Sequence, residues 1–186
     1  MASLLYGYDI YQGGVFSFGY FGTDASSDVT IQNSSFANCQ STNNFGGVIA
    51  GYRSHMELIG NTFSENYAGN SGGAIDYIND CTVIATCNTF SSNKAGNDNG
   101  GAVAAYNSFS HFIYNTFDGN SAIRGGAVRV KYETFLSEGN TYTNNKAFSD
   151  GGAIYGSYAL IKVVVDAFTG NEALVVSCLK LLFPVI

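Results

Sequence analysis

The chain repeats itself, and that constrains its fold more than any other feature. Paired glycines recur at 13–14, 46–47, 72–73, 100–101, 125–126 and 151–152. Between them an aromatic ring is followed three residues later by asparagine, as in Phe63/Asn66, Phe90/Asn93, Phe117/Asn120, Tyr142/Asn145 and Phe168/Asn171, with a degenerate copy at Phe36/Cys39. Two residues after each Asn stands an alanine: Ala68, Ala95, Ala122, Ala147 and Ala173. The period is about 26 residues. The stretch from Asn to Gly-Gly varies in length, whereas the stretch from Gly-Gly to the next aromatic is nearly constant. The unit is thus a rigid segment joined to an elastic loop. One interval is longer, and its extra residues, near Gly22 to Asp28, have loop chemistry.

Helical repeats need amphipathic helices of about ten residues, and a Gly-Gly in every unit opposes them. The pattern beside the glycines has period two instead. Apolar and charged residues alternate in Val128-Arg129-Val130-Lys131, and Phe16-Ser17-Phe18-Gly19-Tyr20 alternates likewise. Short strands with Gly and Asn corners, one coil per repeat, predict an all-β fold: a single-stranded right-handed parallel β-helix (β-solenoid) of about six coils. The hand follows from the crossover rule for parallel strands. Residues 1–186 read as one domain, each coil built from three short strands, with an apolar tail at 172–186.

Coils stacked ~4.8 Å apart place equivalent residues over one another. Ile49, Ile75, Val103, Val128 and Ile154 then form an inward aliphatic ladder, topped by Phe16. Phe36, Phe63, Phe90, Phe117, Tyr142 and Phe168 form an inward aromatic one. Asn66, Asn93, Asn120, Asn145 and Asn171 form a corner ladder whose amides bond to each other and to the turn backbone. Gly73, Gly101, Gly126 and Gly152 permit corners that a Cβ would obstruct.

The combination of Gly72-Gly73-Ala74-Ile75, Gly100-Gly101-Ala102-Val103, Gly125-Gly126-Ala127-Val128 and Gly151-Gly152-Ala153-Ile154 with the aromatic/Asn pairs resembles the repeats of the chlamydial polymorphic membrane proteins. The resemblance covers nearly the whole chain. It implies a β-helix displayed outside the cell and used in adhesion, with other surface proteins, glycans or copies of the same chain as partners. The chain departs from that family in showing no secretion signal, its first basic residue being Arg53, and in having no membrane barrel after residue 171.

Composition narrows the function. Charged residues are 12% and the net charge is −6 with eight Lys and Arg, which excludes nucleic acid as a partner and makes an anionic membrane surface repulsive. No apolar run reaches the ~18 residues of a membrane span. Four cysteines are too few for a disulfide scaffold. Cys81 and Cys87 either bridge locally or stay as small thiols.

Other β-helices carry polysaccharide lyases and hydrolases, which need clustered carboxylates or a Lys or Arg base on an outer face. The column Ser17, Ala50, Asp76, Ala104, Arg129 and Tyr155 is expected to face outward as a mixed solvated surface, and Asp76 and Asp80 as solvated carboxylates. His55 and His111 fall out of register, so no shared metal is expected, and no zinc spacing, P-loop or dinucleotide fingerprint is present. Asn33-Ser34-Ser35 is a single glycosylation sequon. No catalytic, metal or cofactor residue is assigned. The expected function is a non-enzymatic extracellular structural or adhesive element. A carbohydrate-active enzyme is one alternative. Ice binding is another, resting on the column Thr62, Thr89, Thr116 and Thr141 flanked by Asn61, Asn88, Asn115 and Asn140, whose simpler reading is a strand edge.

At the ends, strand-like Leu4-Leu5-Tyr6-Gly7-Tyr8 starts without a cap helix, and the tail is too apolar to lie free in water. Leu174, Leu181 and Phe183 are therefore candidate assembly contacts, joining copies head to tail into a filament or surface layer. The same tail folding over its own last coil would make it a cap.

Overall fold

The computed structural model describes residues 13–19 and 26–175, and the backbone of 179–182. It is a right-handed parallel β-solenoid. One sheet has seven strands and three have six, every pairing parallel and each strand stacked on its counterpart one coil away. The expected three strands per coil become four. A representative coil runs Ile75–Ile78 in the first sheet, Thr82–Thr86 in the second, Thr89–Ser91 in the third and Lys94–Ala95 in the fourth. The fourth strand is only two residues long, too short for periodicity to reveal. The long interval near residue 22 falls partly outside the described residues, as do Leu4 to Tyr8; Ser27 and Asp28 open the second-sheet strand Ser27–Gln32.

The inward ladders run down the lumen. Ile49, Ile75, Val103, Val128 and Ile154 are in register and buried. The rings of Phe63, Phe90, Phe117, Tyr142 and Phe168 stack at 4.8–4.9 Å with interplanar angles of only 3–5°. Phe36 joins at 5.2 Å. Burying each Phe contributes ~2 kcal/mol. Nearly parallel rings also mean that the third sheet is almost untwisted over these coils.

The corner Asn ladder runs from Asn66 to Asn171, and it is saturated with hydrogen bonds. Asn93 is typical. Its Nδ2 donates to Asn120 Oδ1 at 3.0 Å and to the Phe63 carbonyl at 2.9 Å, while its Oδ1 accepts from the Asn66 N–H at 3.1 Å and Asn66 Nδ2 at 2.9 Å. At the degenerate copy the Cys39 N–H donates to Asn66 Oδ1. A second ladder of the same kind, Asn61, Asn88, Asn115 and Asn140, turns the corner between the second and third sheets and ends on Asp166 Oδ1. In the sequence these residues stand out only as flanks of the Thr column. Their spacing, identical to that of the first ladder, was the available signal.

The glycine pairs have two separate reasons. Gly72 has φ +65°, a left-handed turn. A Cβ on Gly73 would lie 2.0 Å from the Gly101 carbonyl and 2.5 Å from Lys94 N, so the next coil excludes any side chain. Gly101 and Gly126 repeat that close approach, the latter against the Gly152 carbonyl.

In the tail, Leu179–Leu182 pairs with Ile154–Ser157 of the same chain, Leu181 opposite Gly156, continuing the first sheet. Leu174 is 83% exposed. Phe183 lies outside the described residues. Cys81 and Cys87 are not bridged: Cys81 is buried, Cys87 is exposed, and both are free thiols.

Replacing Asn120 with Ala removes four hydrogen bonds and leaves buried polar groups unpaired. It is expected to cost ~1–3 kcal/mol or more in denaturant unfolding, whereas outward Thr143→Ala should cost under ~0.5 kcal/mol. Equal losses would refute the ladder's structural role.

Candidate functional site

The column Ala50, Asp76, Ala104, Arg129 and Tyr155 points away from the lumen, as expected, yet it is not a solvated face. Asp76 is 3% exposed and Tyr155 5%. The elastic loops before each Gly-Gly fold over it. Arg124 sits over the Tyr155 ring at 5.7 Å, Ser71 donates to Asp98 Oδ2, and the glycine corner at 72 comes against the Asp76 side chain. The charges of Asp98 and Asp76 act on the partly buried Arg129 guanidinium and oppose the lowering that burial imposes on it. Burial raises the Asp76 carboxyl, Arg129 pulls it down and Asp98 pushes it further up. These charges clasp the loops to the sheet. Asp80 lies apart, on a corner with its side chain 71% exposed and Arg53 Nε 3.9 Å away.

The open feature is the corner between the first and second sheets. A groove of about 690 Å³ runs along it, walled by Asp80, Asn107, Phe109, Tyr132, Tyr158 and Leu160. Tyr132 (φ 53°) and Tyr158 (φ 52°) occupy left-handed corner positions where the neighbouring coil uses Asn107. Asn adopts that conformation cheaply; a bulky ring does so at a cost of ~1–2 kcal/mol. The two rings stack at 5.1 Å and are 45% and 48% exposed. Tyr106 meets Tyr132 edge-on at 5.5 Å, and Lys131 Nζ lies 5.6 Å and 5.0 Å from the Tyr106 and Tyr132 ring centres.

The groove floor contains Cys81 and Glu133. In lower coils this inward corner position holds small hydrogen-bonding residues: the Ser54 N–H donates to Cys81 Sγ, and the Cys81 N–H to Ser108 Oγ. Glu133 takes the same place one coil further on. Its Oε1 accepts from Ser110 Oγ, which also bonds the Tyr77 hydroxyl. Its Oε2 is buried with no hydrogen-bond partner. Burial pushes the Glu133 carboxyl up to about 8, with the bonds from Ser110 and Tyr77 and the charge of Arg129 opposing the rise. Burial likewise raises the Cys81 thiol to about 11. A carboxyl alone in an inward column was not singled out from the sequence, because only the three-dimensional register places Glu133 above Ser108.

The histidines fall in different outward columns of the second sheet: His55 is level with Thr82, and His111 with Ile84. His111 Nε2 lies 3.4 Å from Glu138. No cluster of three metal-ligating side chains occurs among the described residues, and none of their helices is long and apolar enough to cross a membrane. The Thr column faces outward at the start of each third-sheet strand, beside the Asn61 corner ladder, with Thr62, Thr89, Thr116 and Thr141 in register. Two residues on, Ser64, Ser91, Asp118 and Thr143 make a parallel outward column.

Glu133 makes stability depend on pH. Its carboxyl is raised in the folded state, so its contribution is complete below the ordinary value of 4.5 and is lost as pH rises through about 8. Thermal unfolding should therefore show declining stability across that window. Glu133→Gln should flatten the decline, leaving the shallower slope due to Asp76 and Asp166, which are raised in the same direction. An unchanged slope in the variant would refute the buried protonated carboxyl.

Comparison with protein families matches residues 14–168 to a model described as "Right handed beta helix region". Neither the curated proteins nor the solved structures contain a match.

Proposed function

The chain belongs to the right-handed β-helix family, and on that premise we propose that it is a non-enzymatic extracellular adhesive module that binds glycans along its tyrosine-walled groove. The observation that carries this reading is the pair Tyr132 and Tyr158 on successive coils, both at strained corners and half exposed beside an open groove. Aromatic faces stack on the apolar faces of sugar rings, and Asn107, Thr82 and Thr134 offer hydroxyl and amide groups for orientation. The repeats' resemblance to chlamydial polymorphic membrane proteins supports a surface location. A groove carboxyl held inward by Ser110, with its residue only 4% exposed, is poorly placed to reach a scissile bond, which weighs against the hydrolase alternative. Assembly of copies end to end belongs to the same proposal. It is supported by ladders that a stacked copy would continue, and sedimentation at micromolar concentration tests it, a monomer sinking it.

On a printed oligosaccharide array the protein should retain a subset of glycans. Tyr132→Ala and Tyr158→Ala should each weaken that binding roughly fivefold to tenfold, a ring contact being worth ~1 kcal/mol. Tyr114→Ala, on the opposite corner, should leave it unchanged. Retention of no glycan, or indifference to both groove tyrosines, overturns the reading.

A second reading has its own observation. The rings beneath the third sheet stack within a few degrees of parallel, and its outer face carries one in-register Thr column with successive residues ~4.8 Å apart along the stack, beside a second column in which Asp118 interrupts the hydroxyls of Ser64, Ser91 and Thr143. Such a lattice can order water as ice does. If it does, the protein slows ice recrystallisation, and Thr89→Lys with Thr116→Lys abolishes the effect while Tyr132→Ala preserves it. Recrystallisation at the rate of a control protein removes this reading.

A further inference from the structure

We propose that the ligand of the groove is a linear β-1,4-linked glycan, stretched along the stack with one sugar residue per coil. The inference rests on the glycan-binding reading and names the ligand class within it. Three observations carry it.

The first is direction and reach. The groove crosses four successive coils, from Asp80 and Thr82 to Tyr158 and Leu160. Three steps of ~4.8 Å make it about 14 Å long, parallel to the stack rather than to the strands. Such a trough, of about 690 Å³, holds a short chain rather than a single sugar. The second is pitch. The wall groups repeat at the coil spacing, and the corner rings of Tyr132 and Tyr158 stand 5.1 Å apart. An extended pyranose chain advances by nearly this distance per residue, so each sugar meets an equivalent rung. An extended peptide advances only ~3.3 Å per residue and slips out of phase. The third is alternation. The wall on the second-sheet side is one column in register, Thr82, Phe109, Thr134 and Leu160, hydroxyl and apolar in turn. Each β-1,4 linkage turns a sugar over relative to the one before it. The chain is therefore a straight ribbon whose edges and faces recur every second residue, and a wall that recurs every second coil matches it. An α-1,4 chain winds into a helix and leaves a straight trough after a few residues. The column faces outward, so core packing does not dictate the alternation. Outside the groove it lapses into two successive polar residues, His55 and Asp28.

The test titrates three series of neutral oligomers, two to six residues long, into the full chain by calorimetry. Cello-oligomers and chitin oligomers are both β-1,4-linked and differ in their substituents; malto-oligomers match the cello-series except in being α-1,4-linked. Affinity for the better β-1,4 series should rise about threefold to tenfold with each residue up to four and then level off, as each rung adds buried apolar area. Its tetramer should bind at least about tenfold tighter than the malto-tetramer. Thr134→Leu combined with Leu160→Thr keeps the composition of the wall but sets two apolar rungs in succession. The exchange lies on the outer surface, where it leaves the core intact, and it should weaken the β-1,4 tetramer at least about fivefold. Leu136→Ser, in the next outward column of the same sheet and outside the groove, should change nothing. Equal affinity for the β- and α-linked tetramers, a plateau already at the dimer, or indifference to the exchanged pair overturns the ribbon inference and leaves glycan binding standing. Binding of none of the three series overturns it too, and the oligosaccharide array then decides the broader reading separately.

Discussion

Everything in this molecule depends on the hydrogen bond that an asparagine side chain makes to the coil beside it. Strands pair through their backbones, but at a corner the chain turns and the ladder would break. Asn66, Asn93, Asn120 and Asn145 keep it intact, because each amide accepts from one neighbouring coil and donates both to the next Asn and to a carbonyl. Asn61, Asn88 and Asn115 do the same at a second corner, where Asn140 closes the ladder by donating to the Phe112 carbonyl and Ser137 Oγ. The amide is the one side chain that can be donor and acceptor at once in this geometry, and it tolerates no register shift. Strict register is what lets aromatic rings stack within a few degrees of parallel and glycine backbones approach too closely for a Cβ.

Locked corners leave freedom elsewhere, and the molecule uses it unevenly. At the first-to-second sheet corner the ladder consists of Ser and Cys rather than Asn, then of Glu133, and the outward corner residues are large and varied. There the surface opens into a groove with rings on its walls and a buried acid on its floor. On the first sheet's outer face the loops close instead, and Asp76, Asp98, Arg124 and Arg129 secure them. An Arg129→Asp change there would set a third carboxylate against Asp76 and Asp98, so it is not the mild surface substitution that alternation along the strand suggests.

The repeat was legible from spacing, since glycine pairs, aromatics and asparagines each mark one fixed place in a coil. The inward aliphatic and aromatic columns follow from it by counting. What counting missed shares one cause. Four of the six fourth-sheet strands have only two residues, below any periodicity, and the loops' lengths do not say which face they lie on. Asp76 and Tyr155 therefore read as solvated although their outward direction was correct. Cys81 and Cys87, six residues apart, face different environments because a strand lies between them.

By itself, then, the sequence determined the parallel β-helix, the coil length and most of the residues that stack, because stacking is a one-dimensional rule in which equal spacing becomes equal height. Only the tertiary structure decided which outward residues are covered, that Glu133 lies buried next to Tyr132, and that the corner tyrosines of two successive coils line one groove. Those are relations across the stack and around its circumference, and they depend on how the elastic loops fold back, which no spacing along the chain encodes.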